Sequence, residues 1–144
     1  MAGLPQPVMT KAELAAFFAE AFPGSEGPHD DVLDIRPGWV RLKLEPEARN
    51  LRPGNLVSGP TQMGLADRAA YAVILAHIGP VAMAVTSNLN FSFLRGVQFR
   101  TLHADARLLK LGRRLATVDV TLWQDDEANL VAQSTVTYAL PDNP

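Results

Sequence analysis

Between Val57 and Pro80 lies the run that most restricts how this chain can fold: Val-Ser-Gly-Pro-Thr-Gln-Met-Gly-Leu-Ala-Asp-Arg-Ala-Ala-Tyr-Ala-Val-Ile-Leu-Ala-His-Ile-Gly-Pro. From Met63 to Ile78 it is almost wholly apolar or small. It is too rich in alanine and leucine to read as a strand and too short to span a bilayer. Ser58 or Gly59 caps it, and Pro60 occupies the first turn, where a missing N–H costs little. A helix that is apolar on nearly every face must be buried on nearly every face. Yet Asp67 and Arg68 stand in its middle. A carboxylate in such a helix is costly unless it is paired, neutral or used.

The rest of the chain supplies a wrapper for that helix. Residues 1–9, with two prolines and a glycine, read as a flexible arm, and 10–144 as a single domain. Thr10 and Glu13 form a capping box, and Leu14, Phe17, Phe18 and Ala21 make one apolar stripe of a short helix that stops at Phe22-Pro23-Gly24. Residues 32–35 and 39–44 read as strands broken by Pro37-Gly38, with 45–56 as a loop. After Pro80 the pattern turns to strands: 81–94, a hairpin of 101–111 and 113–124 about Gly112, and 130–140 after the polar turn 125–129. The expected class is α+β: a short N-terminal helix, then a long central helix wrapped by a curved antiparallel sheet that ends in a four-strand meander.

With 144 residues, 47% of them hydrophobic and 19% charged, the chain has enough apolar material for one core. A net charge of -2 provides no general attraction for nucleic acid or an anionic membrane, so neither is expected as a partner. The absence of cysteine excludes disulfides, thiolate zinc sites and a cysteine nucleophile, and fits a cytoplasmic location. His29, His77 and His103 have no metal-ligand spacing, so no metal site is expected, and His77 is expected to complement the helix dipole.

Three groups of residues carry chemistry. Asp67 is either paired with Arg68 or another cation, or it acts as a general base, the role that desolvation of a carboxylate favours. Gly59 at the helix start offers an N–H backed by the helix dipole, which serves either as plain capping or as an oxyanion donor. Eight residues separate the two, about 12 Å of helix. Groups that act on one carbonyl must lie within a few ångströms of it. If both are catalytic, Gly59 of one subunit faces Asp67 of another. The third group is Lys110, Arg113 and Arg114, with Arg107 nearby and a second basic loop at Arg95 and Arg100. These cations either blunt a sheet edge or hold the phosphates of a nucleotide-like ligand. Asn88 and Asn90, two apart on one strand face, are structural hydrogen-bonders or pocket residues.

The stretch from Val57 to Ala69, the strand Thr86-Ser-Asn-Leu-Asn-Phe-Ser-Phe-Leu-Arg95 and the stretch Ala104–Arg114 resemble hotdog-fold acyl-CoA thioesterases of the phenylacetate-pathway, PaaI-like type. The resemblance spans residues 32–140. It implies a long helix gripped by an antiparallel sheet, in dimers that usually pair into homotetramers. It matches the first glycine of a His-Gly-Gly helix start to Gly59, whose N–H would polarise the thioester carbonyl. It matches the acid eight residues later to Asp67, which would activate water or attack directly from the partner subunit. The chain departs from the pattern at Ser58 for the histidine, Pro60 for the second glycine, Arg52 for a water-positioning amide (a role Asn55 could assume), and Tyr71 for a Thr or Ser.

The resulting expectation is hydrolysis of an acyl-CoA to free acid and CoA. Asp67 and Gly59 are its catalytic residues, and Ser58, Asn88, Asn90, Arg95, Lys110, Arg113 and Arg114 bind substrate. No cofactor is expected, since CoA is part of the substrate. The runner-up is a non-catalytic acyl-CoA-binding or ligand-sensing module of the same fold. A dehydratase is disfavoured because no histidine lies near Asp67 in sequence.

Overall fold

Alternation along the strands and small residues along the long helix bring sheet and helix close together. The computed structural model describes residues 4–24 and 31–142. The element order is α1 (Lys11–Ala21), β1 (Val32–Arg36), β2 (Trp39–Leu44), a 3-10 turn at Ala48–Asn50, β3 (Leu51–Arg52), β4 (Leu56–Val57), α2 (Gly59–Ile78), β5 (Val85–Phe93), β6 (Leu102–Leu111), β7 (Leu115–Trp123) and β8 (Ala132–Ala139). The main sheet is antiparallel, with spatial order β1-β2-β6-β7-β8-β5.

The inward faces carry Val40 and Leu42 on β2, Ala104 and Ala106 on β6, Val118, Val120 and Leu122 on β7, and Val136 and Tyr138 on β8, all buried. Alanine recurs on both partners, at Ala104, Ala106, Ala116 and Ala132 in the sheet and at Ala66, Ala69, Ala70, Ala72 and Ala76 in α2. Short side chains let the sheet curve tightly around the helix axis. Every residue from Ala69 to His77 is buried, so the second half of α2 is enclosed all round. Its first half keeps an open stripe, with Pro60 and Gly64 exposed and Met63, Asp67 and Arg68 half-buried.

The capping box on α1 is formed as expected: Glu13 N–H donates to Thr10 Oγ1 (3.1 Å), and Thr10 N–H to Glu13 Oε1 (3.0 Å). Leu14 and Phe18 are buried, and Phe18 stacks on Tyr71 of α2 at a centroid distance of 6.0 Å. The N-terminal segment runs over the far end of α2. Val8 and Met9 N–H donate to the Ala76 carbonyl at 2.6 and 3.2 Å, satisfying a last-turn oxygen that the helix leaves free.

Three local expectations change. Residues 45–56 hold a 3-10 turn and the two-residue ladder of β3 and β4, turned by Gly54 and Asn55 at φ 92° and 58°. Asn55 is used for that left-handed turn, which asparagine tolerates well. The four final strands are not a simple meander: β5 pairs with β8 at the far edge, and β6 pairs with β2. The connection between β5 and β6 crosses the end of the sheet instead, held where Val57 N–H donates to Val97 O (2.8 Å). His77 does not serve the helix dipole as a cation. Its Nε2 accepts the Gly38 N–H (2.8 Å) and its Nδ1 lies 2.7 Å from Val73 O, which requires a neutral ring with the proton on Nδ1. Gly38 takes φ 70° in the β1–β2 turn, so His77 ties that turn to α2. His29 lies outside the described residues.

Candidate active site

Asp67 sits in the third turn of α2, opposite the paired residues Thr86 of β5 and Tyr138 of β8. Thr86 Oγ1 donates to Asp67 Oδ1 at 2.6 Å and the Tyr138 hydroxyl donates to the same oxygen at 2.8 Å. The Tyr138 hydroxyl also approaches the Asp67 backbone carbonyl at 3.1 Å. Burial, with the adjacent Asp67 carboxylate adding to it, pushes the Tyr138 phenol far above its ordinary value, although the hydrogen bond with Thr86 works the other way. It therefore remains a donor at any pH near neutrality. Arg68 does not pair with its neighbour. Its Nε and Nη2 engage both oxygens of Asp31 at 2.5 and 3.0 Å, and its guanidinium lies 4.3 Å over the Phe18 ring. Asp67 is thus held by hydroxyls, and its charge is not consumed in an ion pair with Arg68.

A cleft of about 410 Å³ opens beside this carboxylate, lined by Phe22, Asp67, Arg68, Tyr71, Thr86 and Tyr138 among others. Tyr71 stacks on Tyr138 (5.7 Å, 24°), meets Phe22 edge-on (6.2 Å, 74°) and donates its hydroxyl to Ala82 O at 3.1 Å. Phe22, Thr86 and Tyr138 were not among the site residues expected from sequence. Tyr138 shares the inward parity of Ser134 and Val136, so alternation alone marked it as facing the helix.

Gly59 is the first helical residue, and its N–H is one that the helix itself cannot satisfy. Ser58 is the N-cap: its Oγ accepts the Thr61 N–H (3.3 Å) and lies 2.8 Å from Thr61 Oγ1. A Cβ at Gly59 would meet Phe93 Cζ at 3.1 Å, so the helix start lies against the final residue of β5. Thr86, and with it Asp67, lies near the opposite end of that strand.

The cations divide in the same way. Register runs Val85–Ala139–Leu115, placing the β6–β7 hairpin tip, with Lys110, Arg113 and Arg114 exposed around it, at the Asp67 end. Arg114 also contacts Asp142 at 3.5 Å. Arg95 follows Phe93 at the Gly59 end, and Arg100 is engaged by Asp125. Asn88 and Asn90 pair with the outward residues Thr137 and Thr135, on the sheet face turned away from α2, so within this chain they do not line the cleft. One chain therefore holds two separated groups of candidate residues: Gly59, Ser58 and Arg95 at one end of β5, and Asp67, Thr86, Tyr138 and the hairpin cations at the other. Among the described residues no helix is long and apolar enough to cross a membrane, and no three metal-ligating side chains converge.

Residues 54–131 match the family model described as the thioesterase superfamily. A Silicibacter protein described as a candidate thioesterase is 40% identical, with 94% of each chain covered and a TM-score of 0.82. A Ralstonia eutropha protein, described as a candidate thioesterase related to phenylacetic acid degradation, is 26% identical over 86% of this chain and 98% of its own, with a TM-score of 0.72. A Streptococcus mutans protein solved with acetyl CoA shares the fold at 24% identity, covering 78% of this chain and 89% of its own, with a TM-score of 0.67. No functionally curated protein matches the sequence.

Proposed function

The chain belongs to the thioesterase superfamily, and from that premise we propose that it hydrolyses an acyl-CoA thioester to the free acid and CoA. The observation that carries this reading is the Asp67 carboxylate, held by two hydroxyls at the wall of a cleft rather than neutralised by Arg68. In the proposed reaction Asp67 takes a proton from water as that water attacks the thioester carbon. The carbonyl oxygen becomes an oxyanion beside the Gly59 N–H. Collapse breaks the carbon–sulfur bond, and the CoA sulfur leaves with the proton. Direct attack by the carboxylate, followed by hydrolysis of the anhydride, gives the same products. No separate cofactor is required.

The two half-sites call for a second copy of the chain. β5 is an edge strand of nine residues, Val-Thr-Ser-Asn-Leu-Asn-Phe-Ser-Phe, with neither a charge nor a proline to protect it. Val85, Phe93 and Leu94 are exposed along it. Antiparallel pairing of two β5 edges sets the Phe93 end of one chain beside the Val85 end of the other. Gly59 and Arg95 then approach the partner's Asp67, and the hairpin cations Lys110, Arg113 and Arg114 approach the same place for the CoA phosphates. A homodimer, alone or doubled into a homotetramer, is the working unit on this reading. A CoA ester as substrate and a chain without cysteine both favour a cytoplasmic location.

Pro60, which deletes a donor beside Gly59, favours a second reading, a module that binds acyl-CoA without turning it over. Free-thiol release from short-chain, medium-chain and aryl CoA esters separates the two. Turnover that is lost in Asp67→Asn supports hydrolysis; wild-type turnover in that variant overturns the mechanism. CoA-ester binding with no thiol release from the wild-type protein supports the binding module.

A further inference from the structure

We infer that Tyr138 is a positioning residue for the Asp67 carboxylate, fixing Oδ1 so that Oδ2 is the oxygen presented to water. The inference rests on the hydrolytic reading above and gives a role to a residue on β8, 71 positions beyond Asp67 of α2.

Both hydroxyl bonds converge on Oδ1, at 2.6 and 2.8 Å, and among the described residues no side chain bonds Oδ2. Two donors occupy the lone pairs of one oxygen and leave those of the other to accept a proton. The two donors differ in rigidity. Thr86 is exposed within this chain, on an edge strand. Tyr138 is only 4% exposed, and its ring is stacked on Tyr71, which is itself anchored through its hydroxyl to Ala82 O. Its hydroxyl also lies against the Asp67 carbonyl, so ring, helix backbone and carboxylate are registered together. A group intended only to fill the core at 138 needs no hydroxyl there. Burial keeps that phenol protonated, so it donates and does not repel the carboxylate.

The test is Tyr138→Phe, which keeps the ring and its stacking. The expected result is a kcat reduced at least about 10-fold with KM little changed. The acid limb of the kcat/KM profile moves to higher pH, because a lost hydrogen bond to the ionised carboxylate makes it easier to protonate. A lower Tm with an unmoved limb would mark Tyr138 as purely structural and overturn the proposal. If Tyr138→Phe fails to fold, 3,5-difluorotyrosine at 138 keeps the shape but donates more strongly, and the limb should move to lower pH. Independently of turnover, the Asp67 side-chain carboxyl can be titrated by 13C NMR, its resonance assigned with Asp67→Asn. An unchanged midpoint in Tyr138→Phe overturns the positioning role even if the wild-type protein hydrolyses nothing. Absent thiol release with a shifted midpoint overturns the hydrolytic reading alone.

Discussion

Gly59 and Phe93 are in contact across the start of α2 and the end of β5: a Cβ at 59 would stand 3.1 Å from the ring's Cζ and 3.3 Å from its Cε1. Both contacts are tighter than side chains normally accept, so Gly59→Ala forces the ring to move by a few tenths of an ångström. Phe93 is 53% exposed within one chain and is not part of its buried core, so the fold should tolerate the change, with Tm displaced by no more than about 3 °C. The new methyl and the displaced ring crowd the N–H to which the proposed reaction assigns the oxyanion. Thiol release should fall at least about 10-fold in kcat/KM, the scale of losing one oxyanion donor. Alanine retains the N–H itself, so unchanged turnover would overturn the need for an open approach to it.

Mixing two impaired variants tests whether the halves of the proposed site come from different chains. In a Gly59→Ala subunit paired with an Asp67→Asn subunit, one of the two composite sites has both its native glycine and its native carboxylate. Random re-association makes about half the dimers mixed, each with one intact site, so mixing should restore up to about a quarter of wild-type thiol release. If both residues acted within one chain, every site would carry a defect and nothing would return. Measured after mild denaturation and joint refolding, a mixture no more active than its parents overturns the shared site.

What the sequence disclosed followed from how locally each feature is determined. The long helix was legible because its signals are adjacent: a cap at Ser58, Pro60 in the first turn, and an unbroken apolar run. The Thr10–Glu13 box was legible for the same reason. The pairing of β5 with β8 was not, because it is decided by a crossing whose anchor, Val57 to Val97, joins residues on different elements. Gly59 and Asp67 stand out from the residues alone, as an N–H at a helix start and a carboxylate in a nearly apolar helix, and the resemblance to a known motif matches both. Their surroundings were hidden: Arg68 finds Asp31 across 37 positions, and Tyr138 finds Asp67 across 71. A bulge between Thr86 and Asn88 changes the parity of β5. It turns Thr86 toward the helix and Asn88 and Asn90 away from it, an exchange that simple alternation does not register.

The buried tyrosines beside Asp67 also predict how stability responds to alkali. Burial raises the Tyr71 phenol above its ordinary value and, with the nearby carboxylate adding to it, pushes Tyr138 up much further. The unfolded chain releases these protons near pH 10, while the folded protein keeps that of Tyr138. The folded state then binds more protons than the unfolded one. The stabilisation is therefore complete below about pH 10 and is lost as pH rises beyond it, by up to about 1.4 kcal/mol per pH unit for each tyrosine that stays protonated. Urea midpoints measured from pH 8 to 11.5 should hold steady at first and then decline. In Tyr138→Phe the decline should be shallower by about the slope of one group, since Tyr71 is then the one tyrosine left in the chain. Parallel profiles would show that the Tyr138 phenol ionises as readily in the folded protein as in the unfolded chain.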